Sequence, residues 1–336
     1  MNPQNKFLIV TGAGAILAAF LYWFSDRLLE PPLVSQASSN NATARSVQHG
    51  AGDATNESGG GVKHAQLDAA SSNPNRFGVD LPTDLSWQKV LKIRDTRWAI
   101  EQLSISADPN ERLRGYALSV MCTKTLLSPP DGYQAVFAER KITPLQQVAV
   151  TQMRDDMQSR CGASSTGNPY LPSAITRQGL LSARAAQVPL AIASDAVLSN
   201  VVKSGLTSAD ADALSIVLKD EALRSVWIAK SLTTGLGQEL SASPKFQGIP
   251  AEEMTGALMA VLCRSGDDCG VDSVYRPYLC FTSGFRFCSG KTVSEAIEAG
   301  LGPENGARFE ATVKQLQTAF AAGDLNALGF PRKNTP

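Results

Sequence analysis

The chain has 336 residues, 43% hydrophobic and 18% charged, an ordinary globular balance with room for one large domain or two small ones. Its 31 lysines and arginines equal its 31 aspartates and glutamates, so no basic surplus marks it as a nucleic-acid binder. The two histidines, His49 and His64, leave everything after residue 64 without Ser-His-Asp or Cys-His catalysis and without His-ligated metal.

Residues 7–24, from Phe7 to Phe24, carry no charge. As a helix rising about 1.5 Å per residue they span roughly 27 Å, near the thickness of a bilayer's hydrocarbon core. Tyr22 and Trp23 stand at the far end, where amphipathic rings prefer the headgroup level. Lys6 and the α-amino group precede the run, while Asp26, Arg27 and Glu30 come after it. The positive-inside rule then puts residues 1–6 in the cytoplasm and the rest across the membrane. Tyr22, Trp23 and Phe24 occupy the place where a signal peptidase needs small residues, so the run reads as a retained anchor. The expectation is a single-pass protein of a bacterial inner membrane with its main domain in the periplasm. Residues 25–80, rich in Ser, Asn, Ala and Gly around Ser58-Gly-Gly-Gly61, show no helical or strand period and read as a flexible tether.

The ordered domain is expected over residues 81–330. Trp87, Val90, Leu91, Arg94, Trp98 and Leu103 recur at three- and four-residue steps and predict one amphipathic helix. Asp108-Pro109 restarts a helix with Asp as cap and Pro in the first turn, running to Cys122. Thr143-Pro144 opens another that Gly162 stops. Further helices are predicted over 173–186, 189–203 and 208–234, the last ending near Gly235 before a loop from Ser241 to Pro250. Pro250-Ala-Glu-Glu253 is an acidic start, favourable to the helix dipole, for a helix ending at Cys263. Gly266 to Gly290 reads as short helices and turns, with Ser289 a cap for the next helix, and helices over 291–299 and 303–322 close the fold. No alternating strand pattern longer than four residues appears. The class is all-α: a multi-helix bundle or an irregular, solenoid-like stack of helical hairpins. The spacing Pro-x12-Cys, at Pro109–Cys122 and again at Pro250–Cys263, hints at the second.

All six cysteines, Cys122, Cys161, Cys263, Cys269, Cys280 and Cys288, lie beyond the anchor, and an even number outside the cytoplasm reads as disulfides. Their spacing does not match the C-x2–4-C of zinc sites. Cys122 is paired with Cys161 because the other four crowd together. An antiparallel return after Gly266 then suggests Cys263–Cys280 and Cys269–Cys288.

Several motifs invite a chemical reading. Ser86-x-x-Lys89 and Lys203-Ser204-Gly205 fit two of three penicillin-binding signatures, but no Ser-x-Asn lies between them. Gly284 to Thr292 has five residues between its glycines where a phosphate loop needs four. Asp267, Asp268 and Asp272 lack the EF-hand spacing and read as a solvated turn. The neighbours Asp155-Asp156 and Glu252-Glu253 point in different directions on a helix. No catalytic, metal or cofactor residue is therefore assigned. Tyr275, Arg276, Tyr278, Phe281, Phe285, Arg286 and Phe287 form the densest aromatic and arginine patch, read either as a small pinned core or as a contact surface. The functional expectation is a protein-interaction or scaffold module of the cell envelope with an envelope protein as partner, and no nucleic acid. The alternative is an envelope hydrolase using Ser/Lys or carboxylates.

Overall fold

In a computed structural model the described residues are 85–126, 137–162, 174–196 and 201–333. The anchor over 7–24 and the tether over 25–80 lie outside them. The described residues are mostly helical and contain no strand, only a single parallel bridge between Leu206 and Arg332. None of their helices is long and apolar enough to cross a membrane.

Fourteen α-helices can be followed among the described residues. They are α1 (Trp87–Val90), α2 (Thr96–Ser104), α3 (Pro109–Leu126), α4 (Pro144–Cys161), α5 (Ala174–Ala185), α6 (Pro189–Ala196) and α7 (Val201–Ser204). Then come α8 (Ser208–Lys219), α9 (Glu221–Leu232), α10 (Leu236–Ala242), α11 (Ala251–Arg264), α12 (Tyr275–Thr282), α13 (Val293–Leu301) and α14 (Gly306–Ala322). Local chemistry sets their starts. Thr143 and Gln146 form a reciprocal capping box ahead of Pro144. Thr207 caps α8 and Thr292 caps α13 through side-chain acceptors, so Thr292 takes the place expected of Ser289.

Three predicted helices are broken. The period from Trp87 to Leu103 is interrupted because Asp95 turns its carboxylate onto the Trp98 amide at 2.9 Å and starts α2 afresh. Asp220 does the same inside 208–234, accepting from the Leu223 amide at 3.0 Å while its own backbone is extended at ψ 117. In both places apolar periodicity continues across the break, because both pieces pack on one core. The third break falls within 189–203, where α6 ends at Ala196 and α7 starts at Val201. Gly235, at φ 93, is a link rather than an end. Beyond it α10 adds about two more turns with Leu236 and Leu240 buried, its last two residues running into the loop expected from Ser241.

Two helices organise the packing. α3 lies against α2, α4, α5, α9 and α12; α11 lies against α9, α10, α12, α13 and α14. α9 and α12 touch both, and α12 also meets α4. Helices far apart in sequence therefore share one core, which is a bundle and not a stack in which each hairpin meets only its neighbours. Trp227 on α9 sits at the centre, fully buried, its indole N–H donating to the Ala193 carbonyl at 3.1 Å and its ring edge-on to Phe320. The hydroxyl of Tyr278 on α12 donates to the Ala229 carbonyl at 2.7 Å, tying α12 to α9.

Three disulfides close, and no cysteine is free. Cys122–Cys161 joins α3 to the end of α4, as expected. The other two are local, Cys263–Cys269 and Cys280–Cys288, which corrects the pairs Cys263–Cys280 and Cys269–Cys288. Two tight reversals replace the single antiparallel return. After α11 the Asp267 amide bonds back to the Leu262 carbonyl with Gly266 at φ 87, and Cys269 arrives 5.6 Å, Cα to Cα, from Cys263. After α12 the left-handed pair Gly284 and Phe285 reverses the chain, and Cys288 returns to 4.6 Å from Cys280. The Pro-x12-Cys echo is not a structural repeat. α3 runs on past Cys122 to Leu126, and its cysteine bridges 39 residues, whereas Cys263 bridges only 6.

Candidate functional site

The residues singled out in the sequence do not converge. Ser86 precedes α1, and Lys203 and Ser204 end the four-residue α7. Asp267 points inward to Tyr275, Asp268 accepts from the Gly270 amide, and Asp272 points outward to Arg94 at 3.0 Å, so three carboxylates close in sequence diverge in space. No three His, Cys, Asp or Glu side chains gather as a metal set among the described residues.

The aromatic patch resolves into core. Tyr275, Tyr278 and Phe287 are fully buried in the main core. Phe285 belongs to a satellite core with Phe137, Val150, Met153 and the Cys280–Cys288 bridge, against which the half-buried Phe281 packs. Phe285 stands edge-on to both Phe137 and Phe281. Arg276 and Arg286 are half-buried and donate to the carbonyls of Gly290 at 2.9 Å and Gly300 at 3.0 Å. Of the patch, Tyr275, Tyr278, Phe285 and Phe287 are buried, while Arg276, Phe281 and Arg286 are partly exposed.

Buried polar groups mark three further places. Glu253, in the first turn of α11 and 3% exposed, receives Arg286 at 3.1 Å and Arg308 at 2.6 Å. It clamps the Cys280–Cys288 reversal and α14 onto α11. Lys230 on α9, 5% exposed, donates to the Ser194 carbonyl in the last turn of α6, where a cation suits the helix dipole. Burial lowers its pKa to about 8, against the opposing pull of Asp195. Asp195 is itself raised by burial and paired with Arg184. Asp267 is 6% exposed and accepts from the Tyr275 hydroxyl at 2.9 Å, which in turn accepts from the Trp87 indole at 3.1 Å. Burial raises the Asp267 pKa to about 6 and holds Tyr275 well above the ordinary phenol value.

A groove of about 510 Å³ lies between α11, α13 and α14. Ala260, Ile297, Leu301, Pro303 and Phe309 make it mainly apolar, and Cys263 of the local disulfide stands among them. Arg264 reaches across to Glu310, one guanidinium nitrogen lying 2.7 Å from each carboxylate oxygen. That pair is internally neutral. Glu298, one turn beyond Ser294 on α13, lines the groove with no hydrogen-bond or ion partner among the described residues. The lining therefore offers apolar area, one hydroxyl and one unpaired negative charge, and no lysine. The groove is hidden in the sequence because its walls come from three helices whose apolar residues read simply as core-facing. The carboxylate of Glu298 was the signal available. No protein-family model matches the chain, and no curated protein or solved structure does so either.

Proposed function

We propose that the chain is a single-pass envelope protein of a bacterial inner membrane, whose disulfide-bonded helical domain stands in the periplasm and holds a protein partner. The groove between α11, α13 and α14 takes a short apolar segment of that partner carrying a lysine or arginine. The observation that carries this reading is the apolar groove with an unpaired Glu298 at its edge. Three closed disulfides support an oxidising compartment. The apolar lining supplies affinity by losing water, and the carboxylate selects charge.

The test is a photo-crosslinking amino acid at Ser294 in the full-length protein in intact cells, with the attached peptide sequenced by mass spectrometry. An apolar segment with a basic residue within a few positions is expected, and Glu298→Lys should reduce its yield about tenfold, as for reversing one partly desolvated charge. An acidic segment, a lipid adduct, or no adduct above background would sink the proposal.

A further inference from the structure

We infer that Asp267, Tyr275 and Trp87 form an acid-tightened latch, fastening α1 to the Cys263–Cys269 loop. The inference does not rest on the groove. It rests on a buried carboxyl group held only by neutral donors. Asp267 takes the Tyr275 hydroxyl at 2.9 Å, and that hydroxyl in turn accepts from the indole of Trp87 on α1 at 3.1 Å. Two otherwise separate pieces of chain, α1 and the start of α12, are thus joined to Asp267 through one hydroxyl. Asp267 lies inside the six-residue disulfide loop.

The charges around this carboxyl group favour its neutral form. From α12 the facing titratable group is Tyr275, held protonated by burial. From α9 it is Glu221, whose negative charge opposes ionisation of Asp267. Arg224 on α9 is occupied elsewhere, donating to the Leu218 carbonyl at 2.9 Å and to the Ser265 hydroxyl at 3.4 Å. On and after α1, Lys89 and Lys92 are exposed. Within the loop, Arg264 reaches Glu310 and Asp268 accepts from the Gly270 amide; just beyond it, Asp272 is paired with Arg94. Asp267 itself makes no ion pair among the described residues. A carboxylate buried without a counter-ion is costly, and protonation removes that cost while leaving an oxygen acceptor for the Tyr275 hydroxyl.

The direction comes from linkage. A carboxyl group whose folded pKa lies above its unfolded value binds its proton more tightly in the closed state, so closure strengthens as pH falls through the folded value. With Asp267 raised from 3.8 to about 6, the latch ionises above that pH and is weaker there. Opening should then be about tenfold rarer at pH 5 than at pH 7.5. Below about pH 4 the open state is protonated too, and the gain levels off.

Hydrogen exchange of the full-length protein in lipid nanodiscs, corrected for the intrinsic pH dependence of exchange, reads this directly. Amides of residues 85–91 and 265–275 should gain about tenfold protection between pH 7.5 and pH 5. Asp267→Asn should flatten that profile at the level of the acidic wild type. Tyr275→Phe removes a donor that favours the ionised form and should move the midpoint upward, which keeps the test decisive if Asp267→Asn folds poorly. Wild-type protection that does not change over this range, a step that persists in Asp267→Asn, or a midpoint unmoved in Tyr275→Phe would each overturn the latch.

Discussion

Removing each disulfide in turn should separate the energetic roles of the three bridges by the length of chain that each one closes. Cys122–Cys161 closes 39 residues, Cys280–Cys288 closes 8 and Cys263–Cys269 closes 6. In the chain-entropy model these correspond to about 4, 2.5 and 2.2 kcal/mol. Cavity effects complicate such comparisons, but here the structure supplies a matched pair. Cys122, Cys161, Cys280 and Cys288 are all fully buried, so replacing either pair by alanine removes two buried sulfurs from a packed core. The difference between those two double mutants therefore isolates the loop term. Cys122→Ala with Cys161→Ala should cost about 1.4 kcal/mol more than Cys280→Ala with Cys288→Ala. Urea unfolding of the oxidised proteins, monitored by circular dichroism, measures it. Equal losses, or a larger loss from the short loop, would show that these bridges act through native packing and not through the entropy of the unfolded chain.

Packing and charge each supply a further test. A methyl group added at Gly300 on α13 would run into the Phe287 ring and lie 2.9 Å from the Arg286 carbonyl, so Gly300→Ala should lower the unfolding free energy by about 2 kcal/mol in the same urea assay. Lys230 has a folded pKa lowered to about 8 from 10.5, so the unfolded state binds its proton more tightly; stability should rise with pH between about 8 and 10, and Lys230→Met should abolish that rise when its pH–stability curve is subtracted from the wild type's.

The class of fold was legible because helix signals are local. Thr143-Pro144, Pro189 and Pro250 each mark a start that the structure keeps, and Gly162 marks an end. The breaks at Asp95 and Asp220 were not legible. A capping aspartate within an unbroken apolar period looks the same as an exposed aspartate on a continuous helix, and only the angle between the two packed pieces tells them apart. The distant pair Cys122–Cys161 could be found by elimination. The local pairs could not, since choosing them depends on left-handed backbone at Gly266, Gly284 and Phe285, and a phenylalanine at φ 69 has no sequence signal. The groove was the least legible feature. Its floor residues, Ile297, Leu301 and Phe309, are nearly as buried as true core, and their periodicity is that of core.

The Cys-rich segment is joined to the rest of the domain by its side chains as well as by its bridges. The bridges close 6 and 8 residues, and most of the segment's large side chains are inserted elsewhere. Tyr275 reaches Asp267 and Trp87, Tyr278 reaches α9, and Phe287 fills the space left by two glycines, Gly256 on α11 and Gly300 on α13. Arg286, beside it, ties Gly300 and Glu253 together. Phe287 thus sets how closely α13 approaches α11, and that spacing is the width of the groove lined by Ala260 and Ile297. A bulkier residue at Gly300 should therefore do more than destabilise. By pushing α13 away it should also change the fit of whatever the groove holds, with Glu298 carried on the same helix. In Gly300→Ala, loss of crosslinking from Ser294 under conditions where the domain remains folded is the expected sign of that coupling. Crosslinking at the wild-type level in a folded Gly300→Ala would show instead that the groove tolerates the shift, and that Phe287 serves stability alone.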